Sequence, residues 1–170
     1  MSDLLAPSVL LDALLDSWDR NNRITVNLLR SLPAGSLGLR AAEGSPTIGG
    51  LFAHMHYCRL VFVYEDAPEY ARPIPDGEWR TASDATALAE ALSDSAAAVR
   101  EAVRGRLAAG RQMDRHYDHP LLMLQHFIWH EGYHHGQIKL ALKQAARTLD
   151  DEAVGPLTWG VWMDKAPAAL

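Results

Sequence analysis

A chain of 170 residues, 48% hydrophobic and 22% charged, has the length of one domain with one core, and at that size about 70% of the unfolded surface is buried on folding. Neither a disulfide nor a metal is needed to hold such a chain together, so a metal site in it points to function. The net charge of -5, with no cluster of lysine or arginine, argues against nucleic acid or an anionic membrane as the main partner.

Cys58 is the one cysteine, which excludes an internal disulfide framework and suits a reducing compartment. Residues 1–15 are apolar enough to resemble an export signal, yet Asp3 and Asp12 interrupt them and the first basic residue is Arg20. A cytoplasmic location is therefore expected. No apolar run approaches the roughly 20 residues that cross a bilayer.

Leu11, Leu14, Leu15, Trp18, Thr25, Leu28, Leu29 and Leu32 recur at steps of three and four, marking an amphipathic helix that Pro33 and Gly35 stop. Ser45 followed by Pro46 reads as an N-cap with proline at the first helical position, opening a second helix over 47–64. Residues 65–80 carry Pro68, Pro73, Pro75 and Gly77 and read as a long irregular connection. Ser83 is the expected cap of a third, alanine-rich helix that ends near Gly110, with Leu88, Leu92, Val99, Val103 and Leu107 facing a core. Asp118 or His119 before Pro120 starts a fourth over 121–149, which Gly155 and Pro156 break. The tail, 157–163, holds Trp159 and Trp162 and is expected to fold back on the body, because exposed indoles are costly. The fold class is all-α: one domain over residues 1–170, a four-helix bundle whose 65–80 link permits a crossover between helices 2 and 3.

Histidine is the unusual component, 8 residues, several of them bunched. At helical spacing Met123, His126, Phe127, His130, His134, Gln137, Ile138 and Ala141 share one stripe of the fourth helix. Chance placement gives about 0.4 pairs at spacing four, whereas His126/His130 and His130/His134 are both present. On the second helix His54 lies on an apolar stripe with Gly50, Leu51, Cys58, Val61 and Phe62, while His56 points away. Several buried imidazoles cannot all be protonated side by side, and a divalent cation resolves this by accepting one nitrogen lone pair from each neutral ring. The spacing selects His130 and His134 as ligands, with His126 a turn away as a supporting residue; His116, His119 and His135 are expected in solvent. His130-Glu131-Gly132-Tyr133-His134 is also a literal HExxH, but Gln137 and Leu140 stand where the extended metalloprotease motif needs Gly and His, and no sheet is predicted.

Taken together, the run from Thr47 to His54 and the run from His130 to Ile138 resemble the DinB-like superfamily of small bacterial metalloproteins. The resemblance implies a four-helix bundle, often a homodimer, with a divalent ion, zinc or nickel by donor chemistry, held by His54, His130 and His134. It also implies a low-molecular-weight thiol as cosubstrate in a transferase or isomerase, with a hydrolase using metal-activated water as the alternative and a non-catalytic metal or ligand-binding protein as a further one. The partner expected in each case is a small molecule, with no nucleic acid and no membrane.

Around the three histidines, Glu131 is the candidate general base, and Gln137, His126, Cys58 and Tyr57 are candidates to orient a ligand or meet substrate. Gly49 and Gly50, and Gly132 with Gly136, each cost about 1 kcal/mol in a helix relative to alanine, so close approach of another backbone, helix or subunit is expected there.

Overall fold

The computed structural model describes residues 7–165, and among these every regular element is helical. Four long helices, α1 (Pro7–Arg30), α2 (Ile48–Asp66), α3 (Ala85–Ala108) and α4 (Pro120–Gln144), are followed by a single turn, α5 (Asp151–Val154). Short 3-10 turns occur at Ser36–Gly38, Pro68–Tyr70 and Trp159–Met163. The first six residues of the apolar start lie outside the described residues; from Pro7 onward that segment is α1. No helix among the described residues is long and apolar enough to cross a membrane.

The helix ends depart from the local sequence signals by a few residues. The second helix starts at Ile48 rather than at Pro46, because the Ile48 N–H donates to the Leu39 carbonyl at 2.9 Å and holds Thr47 extended. Thr47 then serves as the cap, its hydroxyl accepting from the Gly50 N–H at 3.0 Å. Asp84, not Ser83, caps α3, accepting from the N–H groups of Thr86 and Ala87 at 2.8 and 3.2 Å. His119 caps α4 through its ring Nδ1, which accepts from the Leu121 N–H at 3.2 Å. The fourth helix stops at Gln144, short of 149, in a doubled closure: the Ala146 N–H donates to the Lys143 carbonyl and the Arg147 N–H to that of Leu142, with Ala146 left-handed at φ 54°. Alanine stands where glycine is usual, so the stop carried no sequence signal.

Burial divides the interior into two apolar clusters. Leu28, Leu29, Leu51, Phe52, Met55, Leu92, Ile138 and Leu142 belong to one. Leu15, Trp18, Val63, Val99, Val103, Met123, Leu124 and Phe127 belong to the other. Between them along the helices lie Asn21 and Thr25 of α1, Arg59 of α2 and Glu131 of α4, all buried polar or charged. Such a layer persists only if its groups satisfy one another.

The link 67–84 is fastened to the start of α2. A Cβ on Gly49 would lie 2.3 Å from the Ala82 carbonyl oxygen, so the close approach expected at this glycine is present. At Gly132 and Gly136 a methyl in place of the hydrogen would meet nothing within 4 Å; the two line a cavity shared with Ile24 and Leu28 of α1 and with Trp159 and Trp162. The tail does return to α1, with Val161 buried and its carbonyl accepting from Arg20, but Trp159 and Trp162 stay 56% and 43% exposed. The tail is thus anchored by its backbone and Val161 rather than by its indoles.

Candidate metal centre

His54 projects from the second turn of α2, and His130 and His134 from successive turns of α4, so the i, i+4 spacing puts the latter two rings on one side. The three rings meet. Nε2 of His130 lies 3.2 Å from Nε2 of His54 and 2.9 Å from Nε2 of His134. The His134 ring stands at 86° to both of the others. Burial pushes His54 and His130 down to about 4, with neighbouring imidazoles adding to the effect, and His134 is lowered by burial as well. All three are therefore neutral near pH 7, with one N–H each.

That hydrogen count is too small for the geometry. Gln137 Oε1 lies 2.7 Å from Nδ1 of His134, which places the His134 hydrogen on Nδ1 and leaves its Nε2 bare. His130 Nε2 sits between two nitrogens, and however hydrogens are assigned, one of its two short contacts goes without a linear hydrogen bond. A cation accepting a lone pair from each ring removes the conflict. Ligand nitrogens about 2.0–2.1 Å from zinc lie about 2.9–3.4 Å apart at right-angled to tetrahedral geometry, which spans both separations. Both separations about His130 fit a divalent ion.

The donor atoms of His54, Cys58 and His130 also lie within 4.8 Å of one another, a group able to hold a metal ion. Cys58 Sγ is 3.5 Å from Nδ1 and 3.6 Å from Nε2 of His54. A sulfur equidistant from both ring nitrogens lies toward the Cε1 side or over the ring, off the Nε2 lone-pair axis. Burial, with the carboxylates of Glu78 and Glu131, pushes its thiol up to about 12. The model of the DinB family matches residues 1–150. The chain belongs to the DinB family. No curated protein and no solved structure matches it.

In this DinB-family chain Glu131 is not where a general base is needed. It is fully buried and turned from the histidines, accepting from Arg59 Nε at Oε1 and from Arg59 NH2 at Oε2, each at 2.7 Å. Asn21 and Thr25 donate to Oε2 at 2.7 and 3.3 Å. Arg59 engages both oxygens and Asn21 adds a donor on Oε2, all away from solvent, so the expectation of a base is corrected to a structural ion pair. One residue along an α-helix is a turn of about 100°, enough to carry Glu131 from the histidine stripe into the polar layer.

Gln137 does orient a ligand candidate, and its amide nitrogen donates to Tyr133 Oη at 3.2 Å. His126 is a turn from His130, with ring centroids 6.0 Å apart, and its Nδ1 lies 2.6 Å from the Tyr117 hydroxyl. Tyr57 lies apart from the three rings and lines a cavity of about 280 Å³ with His56, Ala82 and Ala87. Of the three histidines expected in solvent, His116 and His119 are exposed, each with one hydrogen-bonded ring nitrogen, while His135 is half-buried. His116 Nδ1 lies 2.8 Å from the buried carboxylate of Asp66, His119 caps α4, and His135 Nε2 meets Thr25 Oγ1 at 3.0 Å. Burial lowers His135 to about 4.

Two further residues of the site, Glu78 and Trp79, carry no signal in the sequence pattern. Both come from the irregular link, where no periodicity orders the residues, and both land on His54: Glu78 Oε1 is 2.8 Å from Nδ1, and the Trp79 ring stacks at 4.1 Å and 5°. An isolated acidic and aromatic pair among prolines was the only available hint.

Proposed function

We propose that the chain is a divalent-metal-dependent enzyme using a low-molecular-weight thiol as cosubstrate, in a transfer or isomerisation. The observation that carries it is the crowding of the Nε2 atoms of His54 and His134 onto that of His130, at 3.2 and 2.9 Å, with too few hydrogens between them. His54, His130 and His134 would hold the ion, leaving it with three neutral donors and an open side. A dication there supplies charge that favours the deprotonated form of a thiol or a water. Gln137 holds the His134 ring, and the buried walls of α2 and α4 exclude bulk water from the imidazoles.

The withdrawal of Glu131 favours the thiol over the hydrolytic reading. A thiol with a pKa of about 8.5 needs only the ion to ionise near neutral pH, whereas water activation commonly draws on a second group as base. Glu131 is fully buried in its ion pair with Arg59, and Glu78 lies nearest Nδ1 of His54 rather than the crowded Nε2 atoms. The same reading carries a four-helix bundle with a crossover link, one domain over residues 1–170, a small-molecule substrate, a cytoplasmic location and a homodimer.

Elemental analysis of untagged protein tests it first: wild type retains a divalent metal that His54→Ala and His130→Ala lose. Equal metal in all three removes the site. Loaded protein should then consume a low-molecular-weight thiol together with an electrophile. Turnover with water alone selects the hydrolase, and metal binding without turnover selects a binding protein.

A further inference from the structure

Most arginines of this chain, whose net charge is -5, meet a carboxylate, as Arg72 meets Asp94 and Glu101 and Arg106 meets Glu69 and Asp114. Arg40 and Arg80 do not. Among the described residues neither is ion-paired, yet both line one cavity of about 360 Å³ beside α2, together with Ser45, Thr47 and Trp79, and no aspartate or glutamate lines it. A guanidinium carries five N–H donors. Arg40 gives one through NH1 to the Ser45 carbonyl, and the Arg80 guanidinium makes no hydrogen bond among the described residues, so most of both forks is unengaged. Two cations lining one concavity with no counter-charge give it a positive potential, which its low-dielectric walls focus. The guanidinium fork matches the paired oxygens of a carboxylate or a phosphate.

The cavity adjoins the metal centre through two of its own lining residues. Trp79 stacks on the His54 ring at 4.1 Å and 5°, and Gly50 precedes His54 on α2 by one helical turn, about 5.4 Å. We propose that Arg40 and Arg80 form an anion subsite that takes a carboxylate or phosphate group of the small molecule bound at the metal centre. Anion binding itself needs no metal, whereas its place in the reaction rests on the metal-dependent reading above. A molecule a few bonds long, anchored by its anionic end in the cavity, would extend past the indole, which is 50% exposed, toward the His54 ring. Binding of that unreactive end restricts the orientation of the reactive one, so the subsite selects anionic substrates over neutral ones of equal length.

The test titrates metal-free full-length protein with succinate, with inorganic phosphate and with neutral succinamide, following the Trp79 indole N–H resonance, assigned by its loss in Trp79→Phe. Wild type should show a saturable shift with the anions and none with succinamide, and the tighter anion identifies the group. Affinity should fall about 10-fold in Arg80→Gln, which breaks no bond within the described fold, and further when Arg40→Gln is added. No saturable shift, or an Arg80→Gln protein that binds as tightly as wild type, overturns the subsite. Zinc-loaded protein is then given mercaptocarboxylates of increasing chain length, each beside the mercaptoalcohol of the same length. At least one acid should bind more tightly than its alcohol by calorimetry, and Arg80→Gln should lose that preference. No preference at any length overturns the substrate role. Failure of wild type to bind zinc overturns the metal centre, while the anion titration still judges Arg40 and Arg80.

Discussion

His130 and Glu131 are neighbours in sequence, yet they serve polar clusters of opposite kinds. Around Glu131 every strong group is met from within: Arg59 gives Nε and NH2 to the carboxylate and NH1 to Asn22 Oδ1 and the Leu92 carbonyl, and its cation lies over the Trp18 ring at 4.8 Å. Around His130 the donors are short by a hydrogen, and the deficit faces a shared point. A saturated buried network fixes a structure and has nothing left to bind. An unsaturated one beside it, held by the same helix, is where a ligand gains most.

Arg59→Met should produce the largest effect, about 3–5 kcal/mol lower stability by urea unfolding, because it strands a buried carboxylate. His130→Ala in metal-free protein should cost about 1 kcal/mol or less, since the ring it removes was imperfectly bonded. Equal losses in the two would erase the distinction drawn between the clusters.

Acid should separate them next. His54, His130 and His135 sit near 4 in the fold against 6.5 when free, so as pH falls below 6.5 the unfolded chain takes up protons that the folded one refuses. Stability of the metal-free protein then declines from pH 6.5 to about 4 and levels off for these groups below that, while above 6.5 they contribute no pH dependence. Denaturation midpoints across this window should show the decline, and a double His54→Ala, His130→Ala variant should show a shallower one. An unchanged slope in the variant would assign the decline to other groups.

A small effect is expected at the seam. Thr25→Val removes a hydroxyl that meets both Glu131 and His135, and should lower stability by about 1 kcal/mol while leaving zinc affinity unchanged. A loss of affinity there would show that the two clusters are coupled through α1.

The helices and the histidine stripe were legible because both rest on periodicity: Leu51, His54 and Cys58, or His126, His130 and His134, follow from spacing alone. Glu131 was misplaced because a stripe has no sharp margin, and its partner Arg59 lies 72 residues away on another helix with no local pattern to join them. The early stop of α4 hid behind Ala146, which adopts a backbone angle that usually announces itself as glycine. Glu78 and Trp79 were invisible because an irregular segment has no period from which to project a contact.

The missing side chain of Gly49 has a consequence well beyond its own turn. By letting the Ala82 carbonyl settle where a methyl would otherwise stand, it determines how low the strap rides across α2, and Glu78 and Trp79 hang from that strap only a few residues upstream. The height at which Glu78 and Trp79 meet the His54 ring is thus governed from the helix floor. Shifting those two residues off the ring would call for altering this glycine rather than the imidazole itself.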